Sequence, residues 1–140
     1  MIEKLITLHE GFRSKVYKCP ADKWTVGIGR NLEDLGITEA EAHFLLANDI
    51  KRVRAELDRA LPWWTTLSPV RSAVLVDMAF NMGIKRLLGF KKMLAALEAR
   101  DYPETAKQMG DSKWFHDVGK RADRLITMML TNEWPEDIAT

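Results

Sequence analysis

Apolar residues recur at helical spacing along most of the chain and give way once to a strand-like pattern. Ile2, Leu5, Ile6 and His9 share one side of a short helix over residues 2–9, which Gly11 ends. Between Lys15 and Asn31 the character changes: Val16, Tyr17, Trp24, Thr25, Val26 and Ile28 favour strands, and Cys19-Pro20-Ala21-Asp22-Lys23 carries the Pro and Asp of a turn. Residues 15–31 therefore read as a small antiparallel β element, the only one in the chain.

Thr38-Glu39-Ala40-Glu41 fits a capping box, in which a hydroxyl and a glutamate satisfy the first turn reciprocally. Ala42, Leu45, Leu46, Ile50, Val53, Leu57 and Leu61 then recur at helical spacing until Pro62. A helix of about 23 residues spans roughly 35 Å, enough to bridge two lobes. The second half is helical throughout. Ser68-Pro69 caps a helix that runs to Gly83, with Asp77 interrupting its apolar face and so requiring a partner or an outward position. Further helices are expected from Lys91 to Arg100, from the Asp101-Tyr102-Pro103-Glu104 cap to Gly110, and from Arg121 to Thr131. The fold class is α+β and mostly helical.

Composition narrows the function. The 140 residues carry 21 Lys and Arg against 20 Asp and Glu, a net charge of +1, which speaks against a nucleic-acid binder. The 46% hydrophobic content is that of a globular domain, and a single cysteine excludes an internal disulfide. No apolar run approaches the ~20 residues of a membrane span, so no insertion is expected. The opening residues lack the charged start and apolar run of a secretory signal. Residues 84–131 hold ten basic residues against six acidic, a mild excess suited to a polyanionic polymer, although a solvated helix face explains most of those lysines.

Three places carry candidate chemistry. His9-Glu10-Gly11 is not a helical zinc motif, because Arg13 stands where the second histidine is needed and His43 and His116 are distant in sequence; neither a metal nor a cofactor is expected. Gly27-Ile28-Gly29 is not a dinucleotide loop, because Leu32 replaces the third glycine. There remain Glu10 at a helix end and Cys19 and Thr25 in the adjoining β element. Glu10, Cys19, Thr25 and Gly27-Ile28-Gly29 at this spacing resemble the active-site signature of the phage-type lysozymes, the T-even-like endolysins of glycoside hydrolase family 24. The likeness continues through Phe80-Asn81-Met82-Gly83, Trp114-Phe115 and Arg121-Ala122-Asp123-Arg124-Leu125-Ile126, and so covers nearly the whole chain.

The resemblance implies a single lysozyme-like domain: a small N-terminal lobe with a short antiparallel sheet (about 12–48), a connecting helix (about 38–60), and a larger helical lobe (about 61–140) joined by the N-terminal helix 1–11. Peptidoglycan glycan strands would lie in the cleft between the lobes. The implied reaction is hydrolysis of the β-1,4 bond between N-acetylmuramic acid and N-acetylglucosamine. Glu10 would be the general acid and must carry its proton when substrate is bound, a state that burial favours and a nearby cation opposes. Arg121 would contact that glutamate. Thr25 would hold the attacking water, which makes the reaction inverting if it does so. Cys19 stands where relatives usually have Asp, and three roles are open to it: base for water, electrostatic partner of the cationic transition state, or hydrogen-bonding wall, with Asp22 as a nearby substitute. Asn81 and Gly29 would line or support the substrate site, and Arg30, where relatives usually have His, would pair with Asp49. A lytic transglycosylase and an inactive wall-binding module are the alternatives. The resemblance also implies a monomer made in the host cytoplasm, reaching the wall in the periplasm after a holin-type permeabiliser opens the membrane.

Overall fold

The structure is a computed structural model that describes residues 1–138, and it divides into two compact units, one over Met1–Leu46 and one from Ala47 onward. In the first unit, helix α1 (Ile2–Glu10) stops at Gly11, whose left-handed φ of 68° turns the chain while its N–H bonds to Thr7 O at 2.8 Å. Three antiparallel strands follow in the order β1 (Arg13–Lys18), β2 (Trp24–Gly27) and β3 (Arg30–Asn31). The register sets Tyr17 opposite Thr25, Lys18 opposite Trp24 and Val26 opposite Arg30. This is the β element expected over residues 15–31. Its first turn is closed by Asp22 N donating to Cys19 O at 2.8 Å and Cys19 N donating to Lys23 O at 3.0 Å. Pro20 supplies the fixed φ such a turn needs, and Asp22 takes the left-handed residue at φ 60°.

Asn31 then caps the single-turn helix α2 (Leu32–Leu35), its side chain accepting from Asp34 N. The capping box before α3 (Glu39–Ala60) forms as the sequence predicts: Glu41 N donates to Thr38 Oγ1 at 3.1 Å, and Thr38 N donates to Glu41 Oε1 at 2.8 Å. The apolar stripe of α3 is buried only in part. Leu45 and Leu46 are exposed and Ile50 is half-buried, whereas Val53 and Leu57 are fully enclosed. Periodicity marks the face of a helix and does not say where along its length that face is covered.

The second unit holds the hydrophobic core. After a 3-10 turn at Pro62–Thr66 come α4 (Pro69–Met82), α5 (Ile84–Leu88), α6 (Lys91–Glu98), α7 (Tyr102–Gly110), α8 (Lys113–Val118) and α9 (Lys120–Thr131). Ser68 and Asp101 cap α4 and α7, accepting from Arg71 N and Glu104 N. Leu57, Val74, Leu75, Met78, Leu87, Leu97, Met109, Trp114, Leu125 and Met129 interlock as the core. Each such large side chain contributes roughly 1.5–3 kcal/mol when removed from water. Trp64 belongs to it, with its indole N–H on Asp58 at 2.8 Å, and Trp63 packs half-buried against it. The short elements α2, α5, α8 and the 3-10 turn were not expected, because four to six residues are too few to display a helical period. This is a lysozyme-like α+β architecture, with one small sheet near the N-terminus and otherwise helices among the described residues.

Candidate active site

Within the first unit, the ends of α1 and the sheet bring four of the expected residues into two groups. The first is Glu10 and Gly29. Glu10 is the last residue of α1, and its side chain lies against the Gly29 backbone: a Cβ placed on Gly29 would stand 2.8 Å from the Glu10 carboxyl carbon and Oε2. Gly29 also has φ +70°, so both the backbone conformation and the space require glycine. The Glu10 side chain is exposed, so the burial expected of a proton donor is not supplied by the protein alone.

The second group is Cys19 and Thr25, at the turn end of the β1–β2 hairpin. Thr25 is 3% exposed, the one polar residue in this unit buried to that degree among the described residues, and its hydroxyl donates to Lys23 O at 2.8 Å. With its hydrogen committed, Oγ1 can only accept. A water beside it must donate, which turns a water lone pair outward. The Cys19 thiol is held below its usual range, chiefly by the backbone N–H of Lys23. Desolvation opposes this, and the Ala21 N–H and the Thr25 hydroxyl add to the lowering. When the thiol ionises, the Thr25 hydrogen has two competing acceptors, Lys23 O and the sulfur.

The lysines that flank Cys19 are engaged with carboxylates of α2. Lys23 lies 3.4 Å from Asp34 and 3.5 Å from Glu33, and Lys18 lies 3.9 Å from Glu33 and over the Trp24 ring at 4.4 Å. Asp34 first, then Glu33, raises the Lys23 ammonium above its ordinary value. Both cations brace the hairpin end onto α2, and turn N–H groups do the work at the thiol.

The expected Arg30–Asp49 pair is replaced. Arg30 places both terminal nitrogens on Glu41, at 2.9 and 2.5 Å, and donates to Gly36 O at 3.0 Å. Asp49 faces Arg52 on its own helix at 3.7 Å. The physical reason is geometric: an arginine fork matches a carboxylate bidentately, and Glu41 at the first turn of α3 is already oriented by the capping box. Glu41 consequently has its carboxyl lowered to about 2, Arg30 being the largest cause and the Thr38 N–H the next.

In the second unit, Asp77 and Asn81 lie four residues apart on α4 and so share one face. Arg121 donates its Nε to Asp77 Oδ1 at 2.7 Å, which supplies the partner that Asp77 required. Trp114, itself 2% exposed, donates its indole N–H to Asn81 Oδ1 at 3.1 Å. The Asn81 amide is thereby oriented with its NH2 group left free to donate. Sequence reasoning missed Glu41 as the partner of Arg30, though its place in the capping box marked it. It also missed Arg71, which stacks 3.5 Å from the Tyr102 ring and donates to Met129 O at the end of α9; only its place on the half-buried face of α4 hinted at this. No group of three or more His, Cys, Asp or Glu side chains suited to a metal is gathered among the described residues.

The chain matches the family model described as phage lysozyme over residues 7–128. It is 26% identical to a probable T4-type lysozyme 1 of Dictyostelium discoideum, with 93% of this chain and 94% of the relative covered. It is 30% identical to an endolysin of Acyrthosiphon pisum secondary endosymbiont phage 1, covering 79% of this chain and 74% of that one. It is 26% identical to the pre-baseplate central spike protein Gp5 of Enterobacteria phage T4, of whose length the match takes 27%. The matched span contains the Glu10, Cys19 and Thr25 groups together with the Asp77–Arg121 and Asn81–Trp114 pairs, and the chain belongs to the phage lysozyme family, an enzyme of that class.

Proposed function

We propose that this enzyme is an endolysin-type muramidase that hydrolyses the β-1,4 bond between N-acetylmuramic acid and N-acetylglucosamine in peptidoglycan. Glu10 gives a proton to the departing sugar oxygen. Thr25 orients the attacking water through its acceptor-only hydroxyl, and Cys19, whose thiol is lowered by the turn, assists as base or as electrostatic partner of the oxocarbenium-like transition state. Arg121 and Asn81 support the substrate. A bound sugar would exclude water from the exposed Glu10 carboxyl. The observation that carries this reading is the buried, hydrogen-committed hydroxyl of Thr25 next to a thiol on a short, rigid hairpin: a strand residue chosen for β propensity alone has no need of either feature. A holin-type permeabiliser is the partner this reading implies, on the family resemblance; no described helix is long and apolar enough to cross a membrane.

The test is mass spectrometry of purified peptidoglycan digested by the native protein and by Glu10→Gln. Reducing muropeptides from the native protein, absent with the variant, are expected. Anhydro-muropeptides would transfer the protein to the lytic transglycosylases and leave Thr25 without a water to hold. No products from folded native protein on several wall types would leave a binding module.

A further inference from the structure

A groove in the second unit, apart from every residue assigned to catalysis, carries an excess of positive charge that the fold does not use. It is a cavity of about 500 Å³ whose lining includes Arg86, Lys91, Lys92 and Lys113, with Asp111 as its single carboxylate and Phe90 and Trp114 as its apolar wall. Arg86 is partly engaged, 3.9 Å from Asp117. Lys91, Lys92 and Lys113 have no carboxylate within 4.0 Å among the described residues. The position of two of these lysines is electrostatically adverse. Lys91 and Lys92 open α6, where the helix dipole is positive; the N-cap residue Phe90 offers no side-chain acceptor, and the first turn contains no acid. Helix starts ordinarily attract carboxylates. Here Lys91, Lys92 and Lys113 line one cavity beside the first turn of α6, and an anion bound there would offset their charge.

We propose that this groove binds a phosphate group of a polyanionic envelope polymer, holding the enzyme on the wall whose glycan it cuts; the proposal rests on the wall-lytic reading above. Phosphate is favoured over carboxylate by the chemistry of the donors. Lysine ammonium groups are point charges that converge on a tetrahedral oxyanion from several directions, whereas planar carboxylates are matched by arginine forks, and the one arginine present is turned toward Asp117. The sources that share this chemistry are the poly(glycerol phosphate) of teichoic acids and the phosphorylated core of lipopolysaccharide.

The experiment compares the full chain with its Lys91→Gln/Lys92→Gln/Lys113→Gln variant. Calorimetric titrations use a glycerol phosphate oligomer, a phosphorylated lipopolysaccharide core oligosaccharide, and a poly-γ-glutamate oligomer of matched charge. Turnover is measured on peptidoglycan stripped of phosphate polymers. The expected result is binding of a phosphate oligomer that weakens by about tenfold or more in the triple variant and depends less steeply on salt, with turnover on stripped wall unchanged. The tighter of the two phosphate probes identifies the source. Absence of phosphate binding by the native chain, unaltered binding by the variant, or equal binding of poly-γ-glutamate, which would mark a peptide-stem carboxylate site, overturns the proposal. Polymer binding without any turnover by the native chain would overturn the muramidase reading and leave the groove standing.

Discussion

Replacing Gly29 by alanine separates the positioning of Glu10 from the stability of the sheet. Two costs arise, and they differ in kind. The first is conformational: at φ +70° an L-residue with a Cβ costs roughly 1–2 kcal/mol. On a domain of this size that corresponds to a fall in melting temperature of about 3–8 °C. The second is a collision. The new Cβ would lie 2.8 Å from Cδ and Oε2 of Glu10, and ordinary contact begins at 3.4 Å, so the carboxyl must retreat by about 0.6 Å. Glu10 is exposed at the end of α1, so its side chain yields cheaply and little further stability is lost. Catalysis is less forgiving, because misplacing a reacting group by ~1 Å costs on the order of a hundredfold. Gly29→Ala should therefore lower kcat by about tenfold to a hundredfold while its melting temperature falls only by the backbone amount. Gly27→Ala is the internal control. Gly27 has the same φ of +70°, yet a Cβ there meets nothing within 4 Å. The two variants should share their loss of stability and differ in turnover. The assay is release of reducing ends from peptidoglycan, at a temperature where both variants remain folded. Equal turnover in the two would refute the claim that the Gly29 backbone sets the place of the Glu10 carboxyl.

Three further outcomes are expected. Glu41 has a folded value of about 2, below the ordinary 4.5 of a free glutamate, so its contribution to stability is complete above about pH 4.5 and is lost as pH falls through 2. The difference in urea midpoint between the native protein and Glu41→Gln should shrink over that interval, and parallel curves would remove Glu41 from the acid response. Cys19 should react with iodoacetamide with a half-maximal rate below the pH of an ordinary thiol, because the turn N–H groups stabilise its thiolate; full turnover after complete alkylation would exclude a required thiolate. Leu57→Ala should lower unfolding free energy by about 2–5 kcal/mol, whereas Leu45→Ala, at a half-exposed position on the same helix, should cost under about 1 kcal/mol in chemical denaturation; equal losses would place the start of the core in the wrong part of α3.

What the sequence made legible follows from the range of the interactions concerned. The capping box of α3, the Ser68 and Asp101 caps and the Cys19–Lys23 turn each depend on residues within four positions of one another, and each formed as expected. The need of Asp77 for a partner was legible because a carboxylate on an apolar helix face has few alternatives. The identity of that partner, Arg121, was not, since it lies 44 positions along the chain and no local signal links the two. Arg30 shows the limit from the other side. Transferring the histidine's partner to an arginine assumed that the two cations make the same bond. A histidine offers one nitrogen along one direction, whereas a guanidinium offers a planar fork that seeks two oxygens held in a plane. Glu41 presents such a pair because the capping box has already fixed its carboxylate at the start of α3. Arg30 thus ties the sheet to the first turn of α3 through an interaction that survives until Glu41 is protonated near pH 2. The hairpin that carries Cys19 and Thr25 is in this way joined through β3 to an anchor indifferent to pH over the whole range in which a thiol or a carboxylic acid performs proton transfer.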